Sequence, residues 1–183
     1  MKTDLLANRS RVLATATLVL VASMLLSNIA YWIFPTAIGK YIGGFSLSAL
    51  TETLQADILL MPWWQASGAI ILSSIPLLIL AKGLLALRGL FLAYSKGEYF
   101  SSESAELLGK VGKSVTLWVL ASLILTPVMS VWITLTRPVG ERLFTLSIDP
   151  SHIVALFLSA SLMIIARSLY NACSLARENQ QFV

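Results

Sequence analysis

Four runs of 21 to 23 mostly apolar residues, none containing an aspartate or glutamate, restrict what this 183-residue chain can fold into. They are Val12–Phe34, Ala66–Leu87, Val115–Leu135 and His152–Cys173. A bilayer's hydrocarbon core is roughly 30 Å thick and is crossed by about 20 helical residues. Only 12% of residues are charged and mean hydropathy is +0.81, whereas soluble domains are about one quarter charged. The sequence predicts four spans at about 12–34, 66–87, 115–135 and 152–173, forming a single membrane domain over 1–183. The fourth is interrupted by Arg167, near enough to the helix end to snorkel to the headgroups. Lys2, Arg9 and Arg11 precede the first run in the manner of a signal peptide. That run exceeds the usual signal core of about 7–15 residues, so it is expected to remain as an uncleaved span.

Cationic residues give the spans a direction. With the N-terminus inside, ten Lys and Arg fall on the inner side (Lys2, Arg9, Arg11, Lys82, Arg88, Lys96, Lys110, Lys113, Arg167, Arg177). Only Lys40, Arg137 and Arg142 fall outside, which is a positive-inside pattern. Trp32, Trp63, Trp64 and Trp132 mark the outer span ends and Trp118 an inner one. Both termini are therefore expected in the cytoplasm, with residues 88–114 as a cytoplasmic hairpin and 35–65 and 136–151 as outer loops. The +4 net charge is accounted for by this asymmetry, so no direct nucleic-acid binding is inferred. Pro76 and Pro127 fall inside spans two and three and are expected to bend them.

Short echoes suggest a duplication. "RGLFLAYS" (Arg88–Ser95) follows span two and "RSLYNACS" (Arg167–Ser174) ends span four. "FSLS" (Phe45–Ser48) and "FTLS" (Phe144–Ser147) lie in the two outer loops. The order predicts two parallel-repeated helical hairpins about an axis along the membrane normal. The alternating outer segments predict a small two-stranded β cap. The rest of loop one, with Leu50, Leu54, Ile58 and Met61 at helical spacing before Pro62, reads as an interfacial helix.

The longest polar stretch is "YSKGEYFSSESAELLGKVGK", Tyr94–Lys113. The helix of span two should run on towards Tyr94 and turn at Gly97. Ser101 or Ser102 can then cap a new helix, with Glu103 and Glu106 at its positive end. Its charges suit either anionic headgroups or a cytoplasmic partner. The candidate docking residues are Glu98, Phe100, Ser101, Glu106 and Lys110 in the hairpin and Arg177 and Glu178 in the tail.

No catalytic constellation emerges and no cofactor or metal is implied. His152, beside Asp149 and Pro150, reads as part of a helix start. Cys173 has no partner for an internal disulfide. Carboxylates are absent from the spans, which argues against proton- or cation-coupled transport. Lys82 and Arg167 are expected to snorkel. Ser122, Thr126, Ser130 and Thr134 share a face of span three, and Ala155 and Ser159 of span four form a candidate small-residue partner for that stripe.

The pattern "GEYFSSESAELLGKVGK", together with the closing "LYNACSLARENQQFV", resembles the bacterial domain-of-unknown-function 2975 family of integral membrane proteins. The resemblance covers most of the chain and implies four spans. It also implies a more acidic tail than Arg177–Gln181 supplies. Many such proteins are encoded beside a small helix-turn-helix regulator, so the resemblance implies a possible membrane partner for a DNA-binding protein.

Together these features predict an all-α membrane protein, a bundle of four transmembrane helices with a small β cap, in the bacterial inner membrane. The leading functional expectation is a non-enzymatic regulatory or sensory protein that docks a cytoplasmic partner. The alternative is a structural or transport-accessory subunit that packs against another membrane protein. The residues do not fix an oligomeric state.

Overall fold

The computed structural model describes residues 2–34, 61–99, 101–138, 140–146 and 148–181, with backbone alone at 2–5 and 178–181. Four helices account for most of them: α1 (Lys2–Ile33), α2 (Trp63–Ser95), α3 (Ser102–Ile133) and α4 (Pro150–Gln181). Each contains a stretch long and apolar enough to cross a membrane. At about 1.5 Å per residue, 32 residues extend roughly 48 Å, so each helix outruns a hydrocarbon core and carries polar residues beyond it.

The helix boundaries follow local chemistry. α2 begins directly after Pro62, whose carbonyl accepts from the Gln65 and Ala66 amides at 3.0 and 3.1 Å. α4 begins at Pro150, a first-turn position where the missing N–H has no helical partner to lose. Pro76 and Pro127 lie within α2 and α3 and do not end them. Most hydroxyls in the apolar stretches are satisfied within their own helices. Thr17 donates to the Leu13 carbonyl at 2.8 Å and Ser161 to the Phe157 carbonyl at 2.9 Å. This back-bonding is how hydroxyl side chains are carried in a medium without water.

The chain divides into two compact units, 1–21 with 79–117 and 150–183, and 22–78 with 118–149. Small residues set the packing in the first. A Cβ on Gly83 would lie 2.7 Å from Ser114 Cβ, and one on Gly112 would lie 2.9 Å from the Ser159 carbonyl oxygen. Gly109 faces Ala166 and Gly89 faces Leu107. These pairings run α2 antiparallel to α3, and α3 antiparallel to α4. Thr116 Oγ1 and Ser159 Oγ share a hydrogen bond of 2.9 Å across the second pair. Close backbone approach through small residues is the usual source of helix attraction where no hydrophobic effect operates.

The second unit is built around aromatic side chains. Tyr31, Trp32, Ala69, Met129 and Ile133 form its buried cluster, flanked by Met61, Ile70, Leu72 and Trp132. Tyr31 and Trp32 meet edge to face at 5.4 Å, and Trp64 meets Trp132 in the same way at 6.1 Å. Such pairs contribute about 0.5–1.5 kcal/mol beyond the area they bury.

The expected β cap finds no support in this structure. No strand occurs among the described residues, and residues 141–146 lack regular structure. The proposed partner segment, Phe45–Ser48, lies outside the described residues, as do Leu50, Leu54 and Ile58 of the expected interfacial helix. The backbone at 143–145 is instead paired with α3. The Leu143 amide donates to Thr134 Oγ1 at 3.2 Å and the Thr145 amide to Ser130 Oγ at 3.1 Å. Two residues of extended chain cover about 6.6 Å and four helical residues about 6 Å. A hydroxyl every fourth residue of a helix can therefore meet every second amide of an extended segment, as a neighbouring strand would.

Candidate functional site

Two constructed regions stand out, one in each unit. The first is the reversal between α2 and α3. Gly97, with φ of +88°, has a backbone conformation that other residues adopt only with strain. Its amide donates to the Tyr94 carbonyl at 3.1 Å, and the Glu98 amide to the Ala93 carbonyl at 3.2 Å. This pair of bonds, six-to-one enclosing five-to-two, is a Schellman closure. Ser101, and not Ser102, caps α3, with its Oγ accepting the Ser104 amide at 3.0 Å. Ser104 is fully buried, and its hydroxyl donates to the Glu98 carbonyl at 2.9 Å. It ties the new helix to the turn before it. Tyr94 and Tyr99 pack across the turn at 5.6 Å.

Most of the candidate docking residues gather at this tip. Glu98 is exposed on the turn, Ser101 is the cap, and Glu106 and Lys110 are exposed on α3. Lys110 Nζ donates to Glu106 at 2.9 Å, one helical turn away. That hydrogen bond, with the attraction of the ammonium charge, lowers the Glu106 carboxyl below its ordinary value of 4.5. Phe100 lies outside the described residues. Arg177 is exposed on α4. With Gly109 opposite Ala166, the common helical rise carries Arg177 about one turn beyond the level of Ser102. Glu178 follows it in the helix, described in backbone only.

The second region is a polar node with an adjoining cleft. Asn28 Nδ2 donates to Ser73 Oγ at 3.1 Å and to Ser74 Oγ at 3.2 Å. Trp32 Nε1 donates to the same Ser73 oxygen at 3.1 Å, and Ser73 gives its hydrogen to the Ile70 carbonyl. One serine thus serves two donors and one acceptor, its full capacity. Nearby, Gln65 is 1% exposed. Its Nε2 donates to the Trp132 and Ile133 carbonyls at 2.7 and 2.9 Å, while Trp132 Nε1 donates to the Gln65 carbonyl at 2.9 Å. The start of α2 and the end of α3 therefore cap each other.

The span-three stripe divides between tasks. Ser130 and Thr134 are fully buried and hold residues 143 and 145. Ser122 and Thr126 line the cleft with Leu72, Ser73 and Pro76. Ser159 meets Gly112 and Thr116, and Ala155, one turn earlier, is half-buried. Ser104, Gln65 and the Asn28–Ser73 node were not singled out from the sequence. An amide inside an apolar run was the available signal for Asn28. Gln65, just ahead of its run, carried none. Among the described residues, no group of three or more His, Cys, Asp and Glu side chains gathers as a metal site. No family model, curated protein or solved structure matches this chain.

Proposed function

We propose that this chain is a non-enzymatic, multi-pass protein of the bacterial inner membrane that presents the α2–α3 hairpin tip to a cytoplasmic protein. The observation that carries the proposal is the construction of the tip. Its reversal is closed at Gly97, capped by Ser101 and tied by the buried Ser104, while Glu98, Glu106 and Lys110 stay exposed. A preformed tip loses little conformational freedom on binding, which favours docking. The excess of Lys and Arg on the same side supports a cytoplasmic location. The resemblance to the domain-of-unknown-function 2975 family makes a small helix-turn-helix regulator the partner to test first.

The experiment is recovery of the detergent-solubilised protein from its own cells, comparing the native chain with Glu98→Lys/Glu106→Lys. A cytoplasmic protein retained by the native chain and lost with the charge reversal supports docking. Recovery of the same proteins with both chains rejects it.

One observation favours a second role, as a subunit packed against another membrane protein. The most apolar window of α4 is 11% buried, against 28% in each of the other helices. Ile153, Phe157 and Ile164 are among its exposed side chains. Photocrosslinking from Phe157 to a membrane protein, with none from the tip, would favour this role.

A further inference from the structure

Most hydroxyls in these apolar helices donate to a carbonyl of their own preceding turn. On α3, Thr126 donates to the Ser122 carbonyl at 2.7 Å and Thr134 to the Ser130 carbonyl at 2.7 Å. Ser122 breaks the habit. It is 6% exposed, and its Oγ has no hydrogen-bond partner. An unpaired buried hydroxyl costs about 1–3 kcal/mol, and an apolar bilayer supplies nothing to relieve it.

The cleft beside Ser122 has the size and the chemistry to do so. It offers about 20 Å³ to the centre of a water molecule, where one water needs about 10–15 Å³. Leu72, Ser73, Pro76 and Thr126 line it with Ser122. Pro76 has no amide hydrogen, so the Leu72 carbonyl lacks the donor that the fourth residue onward normally supplies. Thr126 Oγ1 has spent its hydrogen on the Ser122 carbonyl but keeps lone pairs. Ser73 is saturated by Asn28, Trp32 and Ile70, so it neither competes for Ser122 nor satisfies it. The groups available around the cleft are therefore one donor without a partner, Ser122, and two acceptors with capacity to spare, Leu72 and Thr126. A water molecule can accept one bond and donate two, and buried waters typically make about three.

We infer that this cleft is a hydration site. Its water accepts from Ser122 Oγ and donates to Thr126 Oγ1 and the Leu72 carbonyl, standing in for the helical bond that Pro76 removes. The ligand is water or a hydroxyl group of similar size. The site is independent of the proposed docking tip.

Thermal unfolding of the full chain in lipid nanodiscs tests it by sign. In a hydrated cleft, Ser122→Ala removes a used hydrogen bond and lowers the unfolding midpoint, and Ser122→Val lowers it further by displacing the water. In a dry cleft, both variants delete an unpaired hydroxyl and raise the midpoint. A rise, or no change in either variant, overturns the inference. Should the variants fail to fold, the native chain decides. A high-resolution density peak within hydrogen-bond reach of Ser122 Oγ supports hydration, and an empty cleft where other buried waters are resolved overturns it.

Discussion

At its N-terminus α3 is closed by groups three and six positions apart in sequence, Ser101 with Ser104 and Ser104 with Glu98. At its C-terminus the closing groups come from 67 and 68 positions away, where Gln65 reaches Trp132 and Ile133. Further bonds there span 9 and 15 positions, from Thr134 to Leu143 and from Ser130 to Thr145. The first kind of closure can form as soon as the local chain turns. The second exists only once α2 and the following loop have docked. The tip is therefore autonomous and the opposite end contingent on packing, so substitutions at the two should differ in size and in what they disturb.

The largest effect is expected from Gln65→Leu, which strands the Ile133 carbonyl in the last turn of α3 and leaves the Trp132 carbonyl only the longer bond from the Leu135 amide at 3.3 Å. A loss of about 2–3 kcal/mol should appear in reversible unfolding in detergent micelles. Next is Gly68→Ala, whose added Cβ would lie 2.2 Å from Cζ2 of Trp132. Overpacking of this kind costs about 1–3 kcal/mol, and displacement of the Trp132 ring should register in near-ultraviolet circular dichroism. At the tip, Gly97→Ala is expected to cost about 1–2 kcal/mol from the left-handed backbone alone, because nothing lies within 4 Å of the new carbon. Ser101→Ala should cost about 1 kcal/mol, and its effect should add to that of Gln65→Leu within about 0.5 kcal/mol. A Ser101→Ala loss exceeding that of Gln65→Leu would break the contrast. The smallest effect is expected from Glu106→Gln, whose ion pair is solvent-exposed. Since Lys110 lowers the Glu106 pKa, that pair is complete above the ordinary carboxylate range. It is lost as pH falls through the lowered value, so proton titration by NMR should find no change between pH 6 and 8.

The same contrast explains how far the sequence could be read. Apolar runs, Gly97 and the Ser101–Ser102 alternatives are signals carried within a few residues, and the helices and the tip followed from them. The helices run past the apolar segments because no proline intervenes between Leu87 and Ser95 or between Ser102 and Val115, and Gly89, Gly109 and Gly112 are held by packing. Gln65 carries no local mark of its role, which depends on a helix end brought to it by folding. The Phe144–Ser147 alternation is a weak guide for a related reason. A two-residue side-chain period does not say what the backbone pairs with, and here the Leu143 and Thr145 amides pair with α3 hydroxyls. The Arg88–Ser95 and Arg167–Ser174 echo is similarly limited. α2 stops at Ser95, where Gly97 follows, whereas α4 continues past Ser174 to Gln181. Similar residues thus end one helix and lie inside another.

The docking proposal requires the tip to face the cell interior. Glu103 is exposed in the first turn of α3, and Cys173 is the chain's single cysteine, so Glu103→Cys in a Cys173→Ser background gives one reporter. Labelling by a membrane-impermeant maleimide only after the inner face is opened is the expected result. Labelling of intact spheroplasts from outside would reverse the orientation of all four helices and remove the cytoplasmic partner with it.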